Sequence, residues 1–323
     1  METMAPATGN SPKTILAVGE VLWDLLPDCR RLGGAVFNFA YRADSLGDRS
    51  LVVSRLGTDD LGDEAFETIT RFDLDTTLLQ RDDAHPTGTV QVHFDGKGIP
   101  DYFIVPNVAY DHIEPITALG EALMSADCLC FGTLVQRSAT TRQTLYDLLE
   151  RATDCLKVLD INLRKDCYSR ETVEYSLQHA DLLKLNDDEV RVLDDMLDIS
   201  NGDAIGFCDE IMKRYPVEHC LVTFGSYGAL VCSRDGGRVY EPGCQVKVVD
   251  TLGSGDAFTA GFVHRYLRGA SVRDACRFGN LLGALVATQV GGTEPVSPQV
   301  VAGFEEAITE RNILPEFERF ITD

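Results

Sequence analysis

The residue types best suited to chemistry gather in one stretch, Asp250-Thr251-Leu252-Gly253-Ser254-Gly255-Asp256. An apolar-periodic segment follows to about Leu267, which places the two glycines at a helix N-terminus. There the backbone N–H groups of Gly253, Ser254, Gly255 and Asp256 can converge on an anion, aided by the helix dipole. Glycine lets the backbone approach such an anion closely. A carboxylate in the same place, Asp256, would repel the anion unless its work is to take a proton from an attacking hydroxyl. Read alone, the stretch is equally an ordinary helix capped by Ser254 or Asp256. It is not a dinucleotide fingerprint, because Phe258 stands where a third glycine would be needed, and the chain has no Walker A sequence.

Other segments offer complementary chemistry. Thr223-Phe224-Gly225-Ser226-Tyr227-Gly228 closes an apolar run and can set backbone amides and a hydroxyl beside phosphate or ribose, or simply form a β-turn. In Lys184-Leu185-Asn186-Asp187-Asp188-Glu189, Asn186 reads as an N-cap and Glu189 as its capping-box partner. The same pair can hold hydrated Mg²⁺, which keeps several waters and takes few carboxylates, and the two readings are compatible. Arg164 follows a strand candidate and can offset charge on a phosphoryl group. Gly33-Gly34 followed by Asn38 suits entry to a polyhydroxylated ligand, and Asp24 can accept hydrogen bonds from hydroxyls. The six histidines show no metal-ligand spacing, and the ten cysteines form no framework.

These residues need a scaffold. Short, nearly continuous apolar runs at Thr14–Val18, Ser50–Arg55, Cys128–Gly132, Lys157–Ile161, Leu182–Leu185 and Cys220–Phe224 read as strands buried on both faces. Amphipathic stretches lie between them, such as Ala35–Leu46 with Val36, Phe39, Ala40, Ala43 and Leu46 on one face. The alternation predicts an α/β fold with a mostly parallel sheet between helices. Two segments, about 20–32 and 87–106, break the rhythm and predict a small antiparallel lid, with Asp95-Gly96-Lys97-Gly98 as a turn. Residues 1–13 read as a disordered leader and 14–323 as one domain carrying the lid. No run reaches the roughly 18 apolar residues of a membrane span, and reduced cysteines suit the cytoplasm.

The formal charge is −22, from 51 acidic and 29 basic residues, of which seven are lysine. Such a field repels nucleic acid and anionic lipid. It also repels ATP, so a nucleotide site here has to supply its own local positive potential.

Taken in order, these segments resemble the ribokinase-like (PfkB) family of carbohydrate kinases from about residue 14 to 310. The resemblance implies ATP and Mg²⁺ as cofactors, with Asp256 deprotonating a sugar hydroxyl and Gly253, Ser254 and Gly255 forming an anion hole. It implies that Asn186 and Glu189 serve Mg²⁺, that Thr223, Gly225, Gly228 and Asn280 line the nucleotide site, and that Arg164 assists catalysis. Asp24, Gly33, Gly34, Asn38 and Asn107 would hold the sugar. Asp250 and the carbonyl of Leu252 match the position of a monovalent cation, K⁺, with partners near 286–292. Gly19-Glu20-x-x-x-Asp24, Pro86-Thr87-Gly88-Thr89-Val90, Asn107-Val108-Ala109-Tyr110-Asp111 and Asp160-x-Asn162-x-Arg164 resemble the fructokinase-like branch. Ser254 in place of Ala, Pro106 in place of Glu and Tyr110 in place of Trp depart from it. The implied reaction is phosphorylation of fructose to fructose 6-phosphate. Alternatives are another sugar, a keto-sugar acid or a nucleoside as acceptor, or a catalytically silent sugar or nucleotide sensor. An acid substrate asks for positive charge in the lid, where this reading counts only Lys97. The exposed edge of a small sheet also suits homodimerisation through the lid.

Overall fold

Each of the six apolar runs becomes a strand, because side chains without polar atoms are most stable where both faces of a sheet are covered. The computed structural model describes residues 11–26, 28–94, 100–199 and 202–321. The predicted leader, apart from Ser11 to Lys13, lies outside the described residues, as does the predicted turn at 95–98 with Lys97. The chain divides into two compact units, one formed by Thr14–Tyr41 and Ser50–Asp181, the other by Met1–Lys13, Arg42–Arg49 and Leu182–Asp323.

The unit that begins at Thr14 contains β1 (Thr14–Val18), β2 (Leu22–Leu25), β3 (Arg30–Gly33) and the start of α1 (Ala35–Ser45). It continues through β4 (Arg49–Gly57), α2 (Asp60–Arg71), β5 (Leu79–Asp82), β6 (Gly88–Phe94) and β7 (Pro100–Ile104). After these come α3 (Thr117–Leu123), β8 (Cys128–Phe131), α4 (Ala139–Arg151), β9 (Leu156–Asp160) and α5 (Arg170–His179). Strand order is β9-β8-β1-β4-β5, with β1–β8, β8–β9 and β4–β5 parallel. The two segments that broke the rhythm form a separate sheet in the order β3-β2-β6-β7. Its β2–β3 and β6–β7 pairs are antiparallel, joined by a parallel β2–β6 pair.

That small sheet is anchored by one half-buried arginine. Arg137 Nε and Nη2 donate to the two carboxylate oxygens of Asp111 at 2.8 and 2.9 Å. Nη2 also donates to the Val105 carbonyl at 2.8 Å and the Tyr110 hydroxyl at 3.0 Å. A planar, five-donor guanidinium can serve several acceptors in this way, where a lysine could not. Tyr110 is fully buried and fills the space where Gly88 lacks a side chain: a Cβ there would lie 2.3 Å from the ring.

The second unit contains β10 (Leu182–Asn186), α6 (Asp187–Met196), α7 (Ala204–Arg214), β11 (His219–Thr223), β12 (Gly228–Ser233) and β13 (Arg238–Cys244). It ends with α8 (Ser254–Tyr266), α9 (Val272–Ala287), α10 (Pro298–Ala307) and the short β14 (Arg311–Asn312). β10 and β11 are parallel, and β11 to β14 are successively antiparallel. Nine of the ten cysteines are buried and all are free thiols.

The carboxyl half of α8 is tied to a buried carboxylate. Asp48 accepts from His264 Nδ1 at 2.8 Å, Arg268 Nη2 at 2.7 Å and the Lys13 N–H at 3.1 Å. Burial pushes the Asp48 carboxyl upward, but the hydrogen bonds and charges of His264 and Arg268 outweigh it and hold it below its ordinary 3.8. A depressed carboxylate contributes stability that is fully present above the unfolded-state value, about pH 4, and is lost as pH falls through the folded-state value. Asp48→Ala is therefore expected to cost about 3 kcal/mol near neutral pH. Urea titrations at several pH values should show the wild-type advantage unchanged from pH 7 to 5 and shrinking below about pH 4. A constant advantage down to pH 2 would contradict this assignment.

Candidate active site

In the first unit, the loop between β3 and α1 gathers three of the predicted ligand-binding residues. A Cβ built on Gly33 would lie 3.2 Å from Asp24 Oδ2 and 3.8 Å from Asn38 Oδ1, so these groups converge on the bare backbone there. Gly34 has φ +114°, and a Cβ on it would sit 2.4 Å from the Glu20 carbonyl, so only glycine fits. Glu20, not singled out from the sequence as a site residue, is buried and accepts the Ala35 N–H at 2.9 Å at the start of α1. Burial raises its carboxyl above the ordinary value, against backbone hydrogen bonds and the nearby charge of Arg164. Arg164 itself is exposed. Asn107, expected with this group, is also exposed; its side-chain oxygen is 3.0 Å from His112 Nε2.

The lid segment holds more positive charge than the Lys97 counted from the sequence. Arg30 and Arg31 both lie on β3. Arg30 stacks over Trp23 and pairs with Glu64. Arg31 stands directly across the β2–β3 ladder from Asp24, and cross-strand partners share a face of the sheet.

The second unit carries the glycine-rich loop. Gly253 takes the left-handed conformation, φ +77°, as the N-cap of α8, so Ser254, Gly255 and Asp256 form the first turn, as predicted. The Ser254 N–H donates to the Thr251 carbonyl at 3.2 Å, a departure from the expectation that it faces an anion. This leaves the amides that follow, beginning with Gly255, at the open N-terminal end of the helix. The Ser254 hydroxyl is buried and has no hydrogen-bond partner among the described residues.

Two further contacts set this turn. Lys184, on β10, is 7% exposed, and its Nζ would be 3.1 Å from a Cβ built on Gly255. Helix α9 lies so close to α8 that a Cβ on Gly279 would be 2.8 Å from the Phe258 carbonyl, and one on Gly283 would be 2.9 Å from the Ser254 carbonyl. Asp250 braces the loop from the other side, accepting from the Leu252 N–H at 3.0 Å and the Gly291 N–H at 3.1 Å. The fully buried Arg42 holds the next stretch, donating to the carbonyls of Gly292 at 2.8 Å and Glu294 at 3.1 Å. Of the atoms expected around a monovalent cation, both Asp250 oxygens thus already accept amide protons, and the neighbouring Gly292 carbonyl already faces a guanidinium.

Asn186 and Glu189 form the capping box read from the sequence. Asn186 Oδ1 accepts the Glu189 N–H and Glu189 Oε2 accepts the Asn186 N–H, each at 2.8 Å. Glu189 is buried at this helix start. Thr223 is the ladder partner of Asn186, and Gly225 opens a single 3₁₀ turn with φ +54° and open space around it. Gly228 and Asn280 meet at a backbone position instead. A Cβ on Gly228 would lie 2.0 Å from the Glu241 carbonyl, and Asn280 Nδ2 donates to the same oxygen at 2.7 Å. Among the described residues no cluster of three or more His, Cys, Asp and Glu side chains could hold a metal ion. No described helix is long and apolar enough to cross a membrane.

Residues 29–299 match the family described as pfkB family carbohydrate kinase. A fructokinase of Escherichia coli is 30% identical over 266 residues, 77% of this chain and 83% of the relative. A 2-dehydro-3-deoxygalactonokinase of Haloferax volcanii is 29% identical over 286 residues, 84% and 86% of the two chains. In fold, the chain is similar to the crystal structure of a fructokinase from Xylella fastidiosa with bound ATP, with a TM-score of 0.80, 22% identity, and coverage of 91% and 98%.

The fit between α8 and α9 generates a test. Gly283→Ala forces a methyl group against the Ser254 carbonyl and should cost about 1–3 kcal/mol by overpacking while displacing the first turn of α8. Gly303→Ala, in α10 with nothing near its Cβ, should be neutral or stabilising by about 0.4–1 kcal/mol. Thermal melts of both variants check the contrast, and equal behaviour would remove the packing argument.

Proposed function

The chain belongs to the pfkB family of carbohydrate kinases, and from that premise we propose that it transfers the γ-phosphoryl group of ATP to fructose, giving fructose 6-phosphate. The observation that carries the proposal is the placement of Asp256 in the first turn of α8, behind a left-handed glycine cap and beside a buried lysine. A helix N-terminus attracts phosphate, and a carboxylate set there has a use if it receives a proton.

In this reading the sugar hydroxyl gives its proton to Asp256, and the oxygen attacks the γ-phosphorus as the bond to the ADP oxygen breaks. Backbone amides at Gly253 and Gly255 and the α8 dipole stabilise the charge that develops, with Arg164 offsetting part of it. Asp24, Gly33, Gly34, Asn38 and Asn107 orient the sugar hydroxyls. The β3-β2-β6-β7 sheet acts as the lid, excludes water and offers the edge for self-association. Thr223, Gly225, Gly228 and Asn280 border the nucleotide. Asn186 and Glu189 would hold Mg²⁺ through its waters, and that ion would neutralise charge on the phosphate oxygens.

Arg31 supports a second reading. Its place across the strand pair from Asp24 puts a cation where a keto-sugar acid could use one, and one relative is named for a 2-dehydro-3-deoxy sugar. ADP release measured across fructose, other hexoses, ribose, nucleosides and keto-deoxy sugar acids separates the readings. Fructose is expected to give the highest kcat/KM, and Arg31→Gln should leave that value within a few-fold. Preference for an acid, lost on Arg31→Gln, would replace fructose with the second reading. Asp256→Asn should lower kcat by about 10²–10⁴-fold while ATP still binds; retained turnover would refute the role of Asp256.

A further inference from the structure

The turn Gly225–Tyr227 is a single turn of 3₁₀ helix set between two glycines of positive φ, Gly225 at +54° and Gly228 at +91°. So short a 3₁₀ turn holds its own shape poorly, because its hydrogen bonds are few and badly angled. Its hold comes from elsewhere in the same unit. Asn312, on β14, donates from Nδ2 to the Ser226 carbonyl at 3.1 Å. Tyr240, fully buried on β13, donates its hydroxyl to the Tyr227 carbonyl at 2.5 Å and accepts the Leu314 N–H at 2.9 Å. Phe317, buried in a 3₁₀ turn over Pro315–Phe320, sets its ring against both Phe224 and Tyr240, with centroids 5.1 and 5.4 Å away.

We propose that Tyr240 is a positioning residue for nucleotide binding, and that with the segment 312–317 it straps the Gly225–Tyr227 turn into the shape the nucleotide meets. This rests on the kinase reading, which puts Gly225 beside the nucleotide, and assigns the residues that hold it there. Both carbonyls that follow Gly225 are taken by donors of the strap, while the Cβ position of Gly225 looks into open space. The turn is gripped through its carbonyls and bare at its glycine.

The strap is itself well fixed. Asn312 stands opposite Gly243 on the β13–β14 ladder, and a Cβ on Gly243 would lie 1.9 Å from the Ser226 carbonyl. Arg273 ties the far end down, donating to Glu241 Oε1 at 2.7 Å and to the Phe320 carbonyl at 3.0 Å. Burial raises the Tyr240 hydroxyl above its ordinary 10.0, so it stays protonated and able to donate at any working pH. The segment follows residue 299, where the family match ends, so that match does not account for it. A ligand that needs one shape of a turn binds more weakly by the fraction of time the turn spends in others. Removing the Tyr240 hydroxyl takes a partner from the Tyr227 carbonyl and from the Leu314 amide at once, and frees the turn from its strap.

Calorimetric ATP affinity with Mg²⁺ present, and kcat and KM with fructose as acceptor, test the proposal in Tyr240→Phe, Asn312→Ala and Arg319→Ala. Tyr240→Phe keeps the ring and should bind ATP about 3- to 10-fold more weakly, the weight of one hydrogen bond, with kcat and the fructose KM within about twofold of wild type. Asn312→Ala should shift ATP affinity the same way by about 2- to 5-fold. Arg319, exposed on the same segment and stacked on Phe320, should be replaceable without effect. Unchanged ATP affinity in both of the first two variants would overturn the proposal. So would equal weakening of ATP and fructose, the mark of a residue that only stabilises the fold. If Tyr240→Phe does not fold, Asn312→Ala decides, and if fructose is not the acceptor, ATP affinity alone decides. Wild-type protein that binds no ATP would refute the kinase reading itself, a result distinct from a wild type that binds ATP and variants that bind it equally well.

Discussion

The contact on which the site depends is the meeting of Lys184 Nζ with the bare backbone of Gly255. A strand end and a helix start approach closely there, so that a side chain at 255 would press against a positive charge. Everything nearby is arranged to hold that geometry. Gly253 turns the chain through the left-handed region so that α8 can begin at Ser254. Asp250 spans from the Leu252 amide to the Gly291 amide and fixes the approach to the turn. Arg42, with no access to solvent, takes the carbonyls just beyond. Such bracing suits the proposed anion hole, because preorganised dipoles stabilise charge only if they need not reorient.

Helix α8 is correspondingly held at both ends. Toward its N-terminus, Gly279 and Gly283 let α9 lie against backbone atoms of Phe258 and Ser254, and a Cβ on Gly261 would lie 3.1 Å from the Gly279 Cα. Near its C-terminus, Asp48 binds His264 and Arg268. The first contact is a matter of shape and the second of charge. Together they explain why the buried face of α8 runs unbroken from Ala257 to Val263: the helix is a rod set between fixed points, and the proposed chemistry sits at its tip.

Much of this was legible in the chain itself. The buried strands announced themselves by uninterrupted apolar runs, and Thr14–Val18 kept even its predicted bounds. The capping box at Asn186 and Glu189 was readable because its two residues lie three apart and interact locally. What escaped was long-range. Lys184 and Gly255 are separated by 71 positions and Arg42 and Gly292 by 250, and nothing in local spacing records that they meet. Gly228 and Asn280 likewise meet over a distance, at the Glu241 carbonyl, which the spacing of their residue types did not record. Arg30 and Arg31 were passed over although they lie inside the lid segment, because only the strand register sets Arg31 against Asp24.

In the proposed reading the two units carry different chemistry. The second would supply an anion loop and a proton acceptor. The first holds groups whose value depends on the acceptor, with Asp24, Gly33 and Asn38 converging and Arg31 beside Asp24. Its small sheet is fixed through Arg137, whose bidentate bond to the buried Asp111 also reaches the backbone at Val105 and the ring of Tyr110. Substitutions on β2 and β3 could therefore retune the acceptor without disturbing the phosphate machinery, provided the Arg137 anchor stays.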